Sequence, residues 1–233
     1  MQVAIICGGK AMRLGNLCQD IPKSLIPIAG RPFISYQLEM LAKQGVKDII
    51  LCVGYLGDCI AKTFGNGEKY GVSLTYSFEN RPLGTAGALK NAEKFLGDCF
   101  FTLYGDSYVF LDFGKMWREF RQYARIGMMA VYHNRNQIET SNTEIGGGEV
   151  LKYDKYNHSP DMEYIEYGVN IFNREVLGVI PQDKSLGLDK ILSGLATDGE
   201  LLAYEVSHRY YEIGSPQGLA EFESIVTKGR YEL

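Results

Sequence analysis

The sequence predicts an α/β protein built on a doubly wound, mostly parallel sheet, and three observations predict it. Val3 to Cys7 and Asp48 to Gly54 are short apolar runs without polar alternation, the pattern of strands covered on both faces. Between them Ile34, Leu38, Leu41 and Ala42 recur at helical spacing after Arg31-Pro32, with Gly45 as a stop. Strand and helix signals then keep alternating as far as Tyr104. That order closes through right-handed crossovers and sets helices on both faces.

The first strand ends at Gly8-Gly9, which let the chain turn sharply and leave backbone N–H groups exposed. Such amides cradle phosphate or base-edge oxygens, and ligands bind at the carboxyl edge of an open α/β sheet. Arg13 and Lys23 add two cations just beyond, so phosphate chemistry is the first expectation. Residues 57–64 read as a short helix, 64–67 as a turn and Val72 to Phe78 as the third strand. Pro82 and Gly84 bend the chain, and Thr85 is an N-cap candidate for a helix to about Leu96. On composition this stretch is either a glycine-rich turn close to a flat ligand or a loop with a Gly/Ala helix packed on the sheet. Cys99 to Tyr104 is the fourth strand, ending at Gly105-Asp106-Ser107. A carboxylate there either caps a loop or holds a divalent cation, since Mg²⁺ takes one or two carboxylates plus substrate phosphates.

In the second half, residues 114–126 read as a helix carrying Met116, Trp117 and Phe120, and Gly127 to His133 as a strand. Asn142 to Ile145, Glu149 to Tyr153 and Tyr164 to Phe172 suit a mixed or antiparallel region, with Gly146-Gly147-Gly148 as a hairpin turn. Leu188 to Leu192 starts a short helix and Leu201 to Val206 is a strand. Ser215 caps a terminal helix that has Pro216 in its first turn and runs to about Lys228.

With 233 residues and 45% hydrophobic content, the chain is read as one domain with a sizeable core. A net charge of −4 argues against nucleic acid or an anionic membrane as the main partner. No apolar run approaches the roughly 20 residues that span a bilayer, and no signal peptide is recognised. Cys7, Cys18, Cys52, Cys59 and Cys99 are scattered and read as reduced thiols of a cytoplasmic protein. His133, His158 and His208 lack the spacing of a zinc site or a catalytic triad. Tyr153, Tyr156, Tyr164 and Tyr167 suit either a ligand pocket or half-buried sheet surface.

Gly8, Gly9, Arg13, Leu14, Pro22 and Lys23 fall in register with G-G-x-G-T-R-L followed by P-K, and Pro27 and Pro32 continue the pattern. The chain thereby resembles the sugar-1-phosphate nucleotidylyltransferases, most of all the short bacterial heptose- and mannose-1-phosphate guanylyltransferases. Ala11 and Met12 stand where the pattern has glycine and threonine. The resemblance runs from Val3 to Ile213-Gly214-Ser215-Pro216. It implies a Rossmann-like sheet of the nucleotide-diphospho-sugar transferase type with an added antiparallel sugar-binding region. Residues 1–112 would mainly bind nucleotide, and 113–233 would mainly bind sugar and close the site.

The same resemblance implies the site. Arg13 and Lys23 are the catalytic cations. Cys7, Gly8, Gly9 and Gly105 bind nucleotide, together with Glu79 and with Leu83, Gly84, Thr85 and Ala86 of the L-G-T-A-G segment. Asp154-Lys155 matches a carboxylate–lysine pair, in which Asp154 accepts sugar hydroxyls and Lys155 neutralises the sugar phosphate. Gly168 and Asn170 match the strand that closes the sugar site. Asp106 matches the metal ligand of a G-D motif, and Glu212 stands where W-x-D-I-G-T-P-E has its metal-binding aspartate, so Mg²⁺ is the implied cofactor. NTP, with GTP favoured, and a sugar 1-phosphate are the implied partners, and a homo-oligomer is compatible. The implied reaction gives an NDP-sugar and pyrophosphate for surface polysaccharide biosynthesis. UTP, CTP and dTTP users share the scaffold. Two other readings stay open: a non-catalytic nucleotide-sugar sensor, which Met12 and Glu212 would suit, and a dinucleotide-dependent oxidoreductase. Against the latter, the glycines lack G-x-G-x-x-G spacing.

Overall fold

The computed structural model describes residues 1–9 and 21–231. In the first half, strands β1 (Gln2–Ile6), β2 (Pro27–Ile28), β3 (Arg31–Pro32), β4 (Asp48–Val53), β5 (Ser73–Phe78), β6 (Cys99–Tyr104) and β7 (Ser107–Tyr108) alternate with helices α1 (Phe33–Lys43), α2 (Gly57–Phe64) and α3 (Gly84–Asn91). The second half comprises α4 (Phe113–Phe120), β8 (Gly127–His133), β9 (Thr143–Gly146), β10 (Glu149–Tyr153), β11 (Tyr164–Asn173), α5 (Leu188–Thr197), β12 (Leu201–Val206), β13 (Tyr211–Glu212) and α6 (Pro216–Thr227). No described helix is long and apolar enough to cross a membrane.

One sheet organises the molecule, in the order β5-β4-β1-β6-β11-β8-β12-β10-β9. Its first four strands are parallel, as the unalternating apolar runs require. Two clusters of buried side chains lie against its opposite faces. Val3 and Ile5 share one with Ile34, Leu38 and Leu41 of α1, and Ala4 and Ile50 share the other with Leu89 of α3 and Leu192 of α5. The expectation of helices on both faces holds.

The expectation of a mostly parallel sheet does not hold for the second half. β11 runs antiparallel to both β6 and β8, and β10 runs antiparallel to β12 and β9, while β8 and β12 are parallel. These strands extend the same sheet instead of forming a separate added region, because β11 inserts directly beside β6, with Ile171 opposite Phe101. Tyr164 of β11 also pairs with Thr143 of β9, so β11-β8-β12-β10-β9 curls round into a small closed barrel. Closure removes the exposed edge that β9 would otherwise present.

Several helix ends differ from the sequence reading. α4 stops at Phe120 instead of residue 126 because its apolar stripe of Phe113, Met116 and Phe120 ends there; Tyr123 beyond it is exposed. Asp112 caps its start, accepting from Lys115 N at 2.7 Å. α3 ends at Asn91 and gives way to a 3₁₀ turn over Glu93–Phe95. The hairpin at Gly146–148 is as expected, with φ of +62° and +83° at Gly147 and Gly148. Ser215 caps α6, accepting from Gly218 N at 3.0 Å.

Candidate active site

The carboxyl ends of β1, β4 and β6 open onto a cleft in two parts. One cavity, of about 590 Å³, is lined by residues including Gly8, Gly54, Glu79, Pro82 and Gly84. The other, of about 250 Å³, is lined by residues including Lys23, Tyr104, Asp106, Lys155 and Asp189. Ile6, Gly9 and Thr85 line both, so the two adjoin. Arg13 lies outside the described residues, as do Ala11, Met12 and Cys18.

Glycines at the strand ends make room for one carboxylate. A Cβ on Gly8 or Gly54 would lie 2.9 or 2.4 Å from Glu79 Oε1. Glu79 sits just past β5 and accepts from Leu83 N at 3.3 Å. Burial raises the pKa of its carboxyl, and the Leu83 hydrogen bond works against that rise. Glu79 therefore presents an acceptor-rich edge to the larger cavity. Cys7 and Gly105 form a similar pair on the neighbouring strands, where a Cβ on Gly105 would come 2.7 Å from Cys7 Sγ. Burial holds the Cys7 thiol well above its usual pKa, so it is a packing group at the cavity wall.

The L-G-T-A-G segment does something the sequence did not show. Thr85 is not the N-cap of α3; its hydroxyl accepts from Leu188 N, at the start of α5, at 2.6 Å. Leu186 O accepts from Ala86 N at 2.9 Å and from Gly87 N at 3.3 Å, and Leu186 N donates to Leu83 O at 2.8 Å. A Cβ on Gly84 would sit 2.5 Å from Leu186 O, and one on Gly87 would sit 2.7 Å from Lys184 O. Gly84 also has φ +71°, where a side chain is strained. Both glycines thus admit backbone from the second half of the chain. Leu83 and Ala86 are buried in this splice, while Gly84 and Thr85 reach the cleft.

Lys23 lies on a 3₁₀ turn, Lys23–Leu25, and its Nζ is 2.5 Å from Asp106 Oδ2; their side chains are 19% and 36% exposed. Asp106 occupies the turn between β6 and β7, where Ile213 N donates to its carbonyl at 2.9 Å. β7 pairs with β13, placing Glu212 opposite Ser107. The carboxylate of Glu212 accepts from Gly214 N and from Ser215 Oγ. A Cβ on Gly214 would be 2.5 Å from both Glu212 Oε2 and Lys23 Nζ. Asp106 pairs with the Lys23 ammonium, and the Glu212 carboxylate lies across Gly214 from the same group. Among the described residues no cluster of three or more His, Cys, Asp or Glu forms a metal cage. Two carboxylates brought to one end of the cleft by the β7–β13 pairing nevertheless suit Mg²⁺, which takes one or two carboxylates and completes its shell with water and phosphate.

The acceptor end departs from the sequence reading. Lys155 lines the smaller cavity, but Asp154 is absent from the lining. Its carboxylate accepts from Tyr156 N and Asn157 N, both at 2.9 Å, and from Asn157 Nδ2 at 3.1 Å, closing a surface turn. Those bonds, led by the one from Asn157 N, lower its pKa to about 2. Gly168, at φ +84°, leaves room for Tyr104, whose ring a Cβ would approach to 3.2 Å. Asn170 is fully buried in the sheet, its Nδ2 3.5 Å from Thr102 Oγ1, and so supports the site from within.

Sequence reasoning missed Glu166 and Asp189. Glu166 is half-buried and accepts from Tyr104 OH at 3.0 Å and Tyr153 OH at 2.8 Å, which fixes the Tyr104 wall of the cavity. Burial, with Glu166 beside them, raises both phenol pKa values. Its alternation with buried Ile165 and Tyr167 could have marked it as pointing to the opposite face of β11. Asp189 follows Leu188 in an ordinary helix start, and no motif singles it out.

Comparison with known proteins places this geometry. A family profile described as Nucleotidyl transferase matches residues 2–229. D-glycero-alpha-D-manno-heptose 1-phosphate guanylyltransferase of Campylobacter jejuni is 40% identical over 116 residues, which are 50% of this chain and 52% of that protein. Mannose-1-phosphate guanylyltransferase catalytic subunit beta of Xenopus tropicalis is 30% identical over 224 residues, covering 93% of this chain and 62% of that protein. The chain thus spans about half the length of the first relative and less than two thirds of the second. The solved structure of HddC from Yersinia pseudotuberculosis is similar at TM-score 0.83 and 26% identity, covering 97% of this chain and 99% of that one. The same protein complexed with GMP-PN gives 0.82. The inositol-1-phosphate CTP transferase from T. maritima, at 19% identity and TM-score 0.78, shares the fold over 97% of this chain and 95% of its own.

Proposed function

The chain belongs to the Nucleotidyl transferase family, and from that premise we propose that its cleft transfers a nucleoside monophosphate from an NTP, GTP favoured, to a sugar 1-phosphate, releasing pyrophosphate. The observation that carries the reading is the adjacency of the two cavities, with Glu79 in one and Lys23, Asp106 and Lys155 in the other. A base and a phosphorylated acceptor can then lie on either side of the reacting phosphate.

Glu79 supports guanine. An ionised carboxylate only accepts hydrogen bonds, and guanine offers it two adjacent donors, N1–H and N2–H. Uracil and thymine offer one N–H flanked by carbonyl oxygens, which a carboxylate repels. The two guanylyltransferase relatives and the GMP-PN complex of HddC agree with that choice.

The chemistry asks for positioning and charge neutralisation. The acceptor phosphate is already ionised near pH 7, so no side-chain base is needed for its oxygen to attack the α-phosphorus in line with the departing pyrophosphate. Lys155 binds the acceptor phosphate and Lys23 the α-phosphate region, while Arg13 is assigned to the β- and γ-phosphates. Asp106 and Glu212 would hold Mg²⁺, which when bound offsets charge on the triphosphate. Lys23 is the partner of Asp106, so phosphate and cation binding are coupled through that pair. The NDP-sugar product is a glycosyl donor, and surface polysaccharide synthesis in the cytoplasm is the setting proposed for it.

A pyrophosphate-release assay tests the reading by crossing GTP, UTP, CTP, dTTP and ATP with hexose and heptose 1-phosphates, with Mg²⁺ and with EDTA. Turnover with GTP and Mg²⁺ alone is expected. Nucleotide binding without turnover across the panel would favour the sensor instead.

A further inference from the structure

We propose that Asp189 is the residue that reads the acceptor sugar, accepting hydrogen bonds from its ring hydroxyls and selecting an uncharged, hydroxyl-rich sugar over an anionic one. The inference rests on the transferase reading of the cleft and goes on to name its acceptor class.

Four observations carry it. Asp189 lines the same small cavity as Lys155 and Tyr104. Its side chain is only 17% exposed, yet its sole ion-pair partner among the described residues is Lys190 Nζ, 3.9 Å away and 63% exposed. Carboxylates withdrawn from water are as a rule hydrogen-bonded, so a donor is expected from whatever fills the cavity. Space is reserved for this carboxylate, since a Cβ on Gly187 would lie 2.0 Å from Asp189 Oδ1. Its position is also fixed from behind, because Thr85 Oγ1 takes the N–H of the preceding Leu188. Asp189 stands in the first turn of α5.

The alternative carboxylate, Asp154, has its oxygens occupied by the turn it closes. Lys155 supplies a cation for the acceptor's phosphate, and Asp189 makes the wall beside it acidic, with Glu166 holding Tyr104 from behind. Sugar hydroxyls satisfy such a wall. A uronic acid would set a second carboxylate against it, and like charges that close are mutually unfavourable.

The test uses the full chain, wild type and Asp189→Asn, in calorimetric titrations with glucose 1-phosphate, mannose 1-phosphate, their monodeoxy analogues and glucuronic acid 1-phosphate. GTP titrations and pyrophosphate-release kinetics run in parallel. Asp189→Asn should weaken the better hexose phosphate about 10- to 100-fold and leave GTP within about twofold. One monodeoxy analogue should cost the wild type a similar factor and cost the variant nothing further, the sign of a shared hydrogen bond. The wild type should discriminate against glucuronic acid 1-phosphate, and the variant should narrow that gap. Unchanged acceptor affinity in Asp189→Asn, or deoxy losses that simply add at every position, would overturn the inference. Binding that follows these expectations without pyrophosphate release would uphold it and overturn the transferase reading, so the two failures are distinct.

Discussion

The parallel strands β5-β4-β1-β6 and the curled strands β11-β8-β12-β10-β9 place the groups in and behind the cleft by different means. In the parallel part backbone geometry decides. Gly8 and Gly54 clear a slot for Glu79, and Asp106 rides a two-residue turn at the tip of β6. In the curled part side chains are set by partners far away in sequence: Glu166 by Tyr104 and Tyr153, and Asp189 by way of Thr85. The first arrangement ties function to short motifs. The second ties it to register, where one slip moves every side chain to the other face.

The largest effect should come from the junction of the two parts. Asp106→Ala is expected to lower turnover at least 10²- to 10³-fold, the scale of losing one electrostatic contact to reacting charge, with an unchanged unfolding transition. Near-normal pyrophosphate release from that variant would refute the role given to the Lys23–Asp106 pair.

A test of whether the halves are separable comes next. Gly84→Ala forces a side chain into positive φ and against Leu186 O. It should cost about 2–3 kcal/mol, read as a fall in Tm of roughly 5–10 °C. GTP and sugar-phosphate affinity should weaken together; loss of one alone would show that the splice couples nothing.

Base choice sharpens the contrast from the parallel side. Glu79→Gln should reduce GTP's advantage over the other triphosphates about 10- to 100-fold in kcat/KM. Because burial raises the Glu79 pKa and guanine needs the carboxylate ionised, wild-type GTP affinity should decline as pH falls through that raised value. The glutamine variant should show a flatter profile. In the folded protein without ligand the sign is opposite: a raised carboxyl pKa favours the native state below the unfolded value, and that contribution fades as pH rises through the folded one.

The smallest effect belongs to Asp154→Asn. Its carboxylate closes a surface turn, so acceptor KM should change by less than about twofold. A tenfold rise would return it to the sugar pocket and weaken the case for Asp189.

These contrasts also explain what could be read from the chain. The apolar run to Cys7, the Gly8-Gly9 stop and the Gly105-Asp106 tip are local events, and each appeared where the sequence put it. α4 was drawn too long because charged residues past Phe120 suit a helix locally, while its buried stripe of Phe113, Met116 and Phe120 ends there. The insertion of β11 between β6 and β8 was hidden, since alternation marks a strand without naming its neighbours. Thr85 was misread because a threonine ahead of a helix looks like a cap, whereas its partner lies 103 residues away. Asp189 had no local signal at all. Its surroundings are assembled only when that strap docks.

The docking of Leu186 onto Ala86 and Gly87 bears on how such a protein can be re-engineered or can drift. Residues 79–88 look like a portable cassette for exchanging one nucleobase preference for another. Transplanted alone, the cassette would meet a foreign strap at Gly84 and Gly87 and would shift the α5 start that carries Asp189. On the roles proposed for Glu79 and Asp189, the heritable unit of specificity is a pair of segments, 79–88 with 183–189, because the two pack on each other.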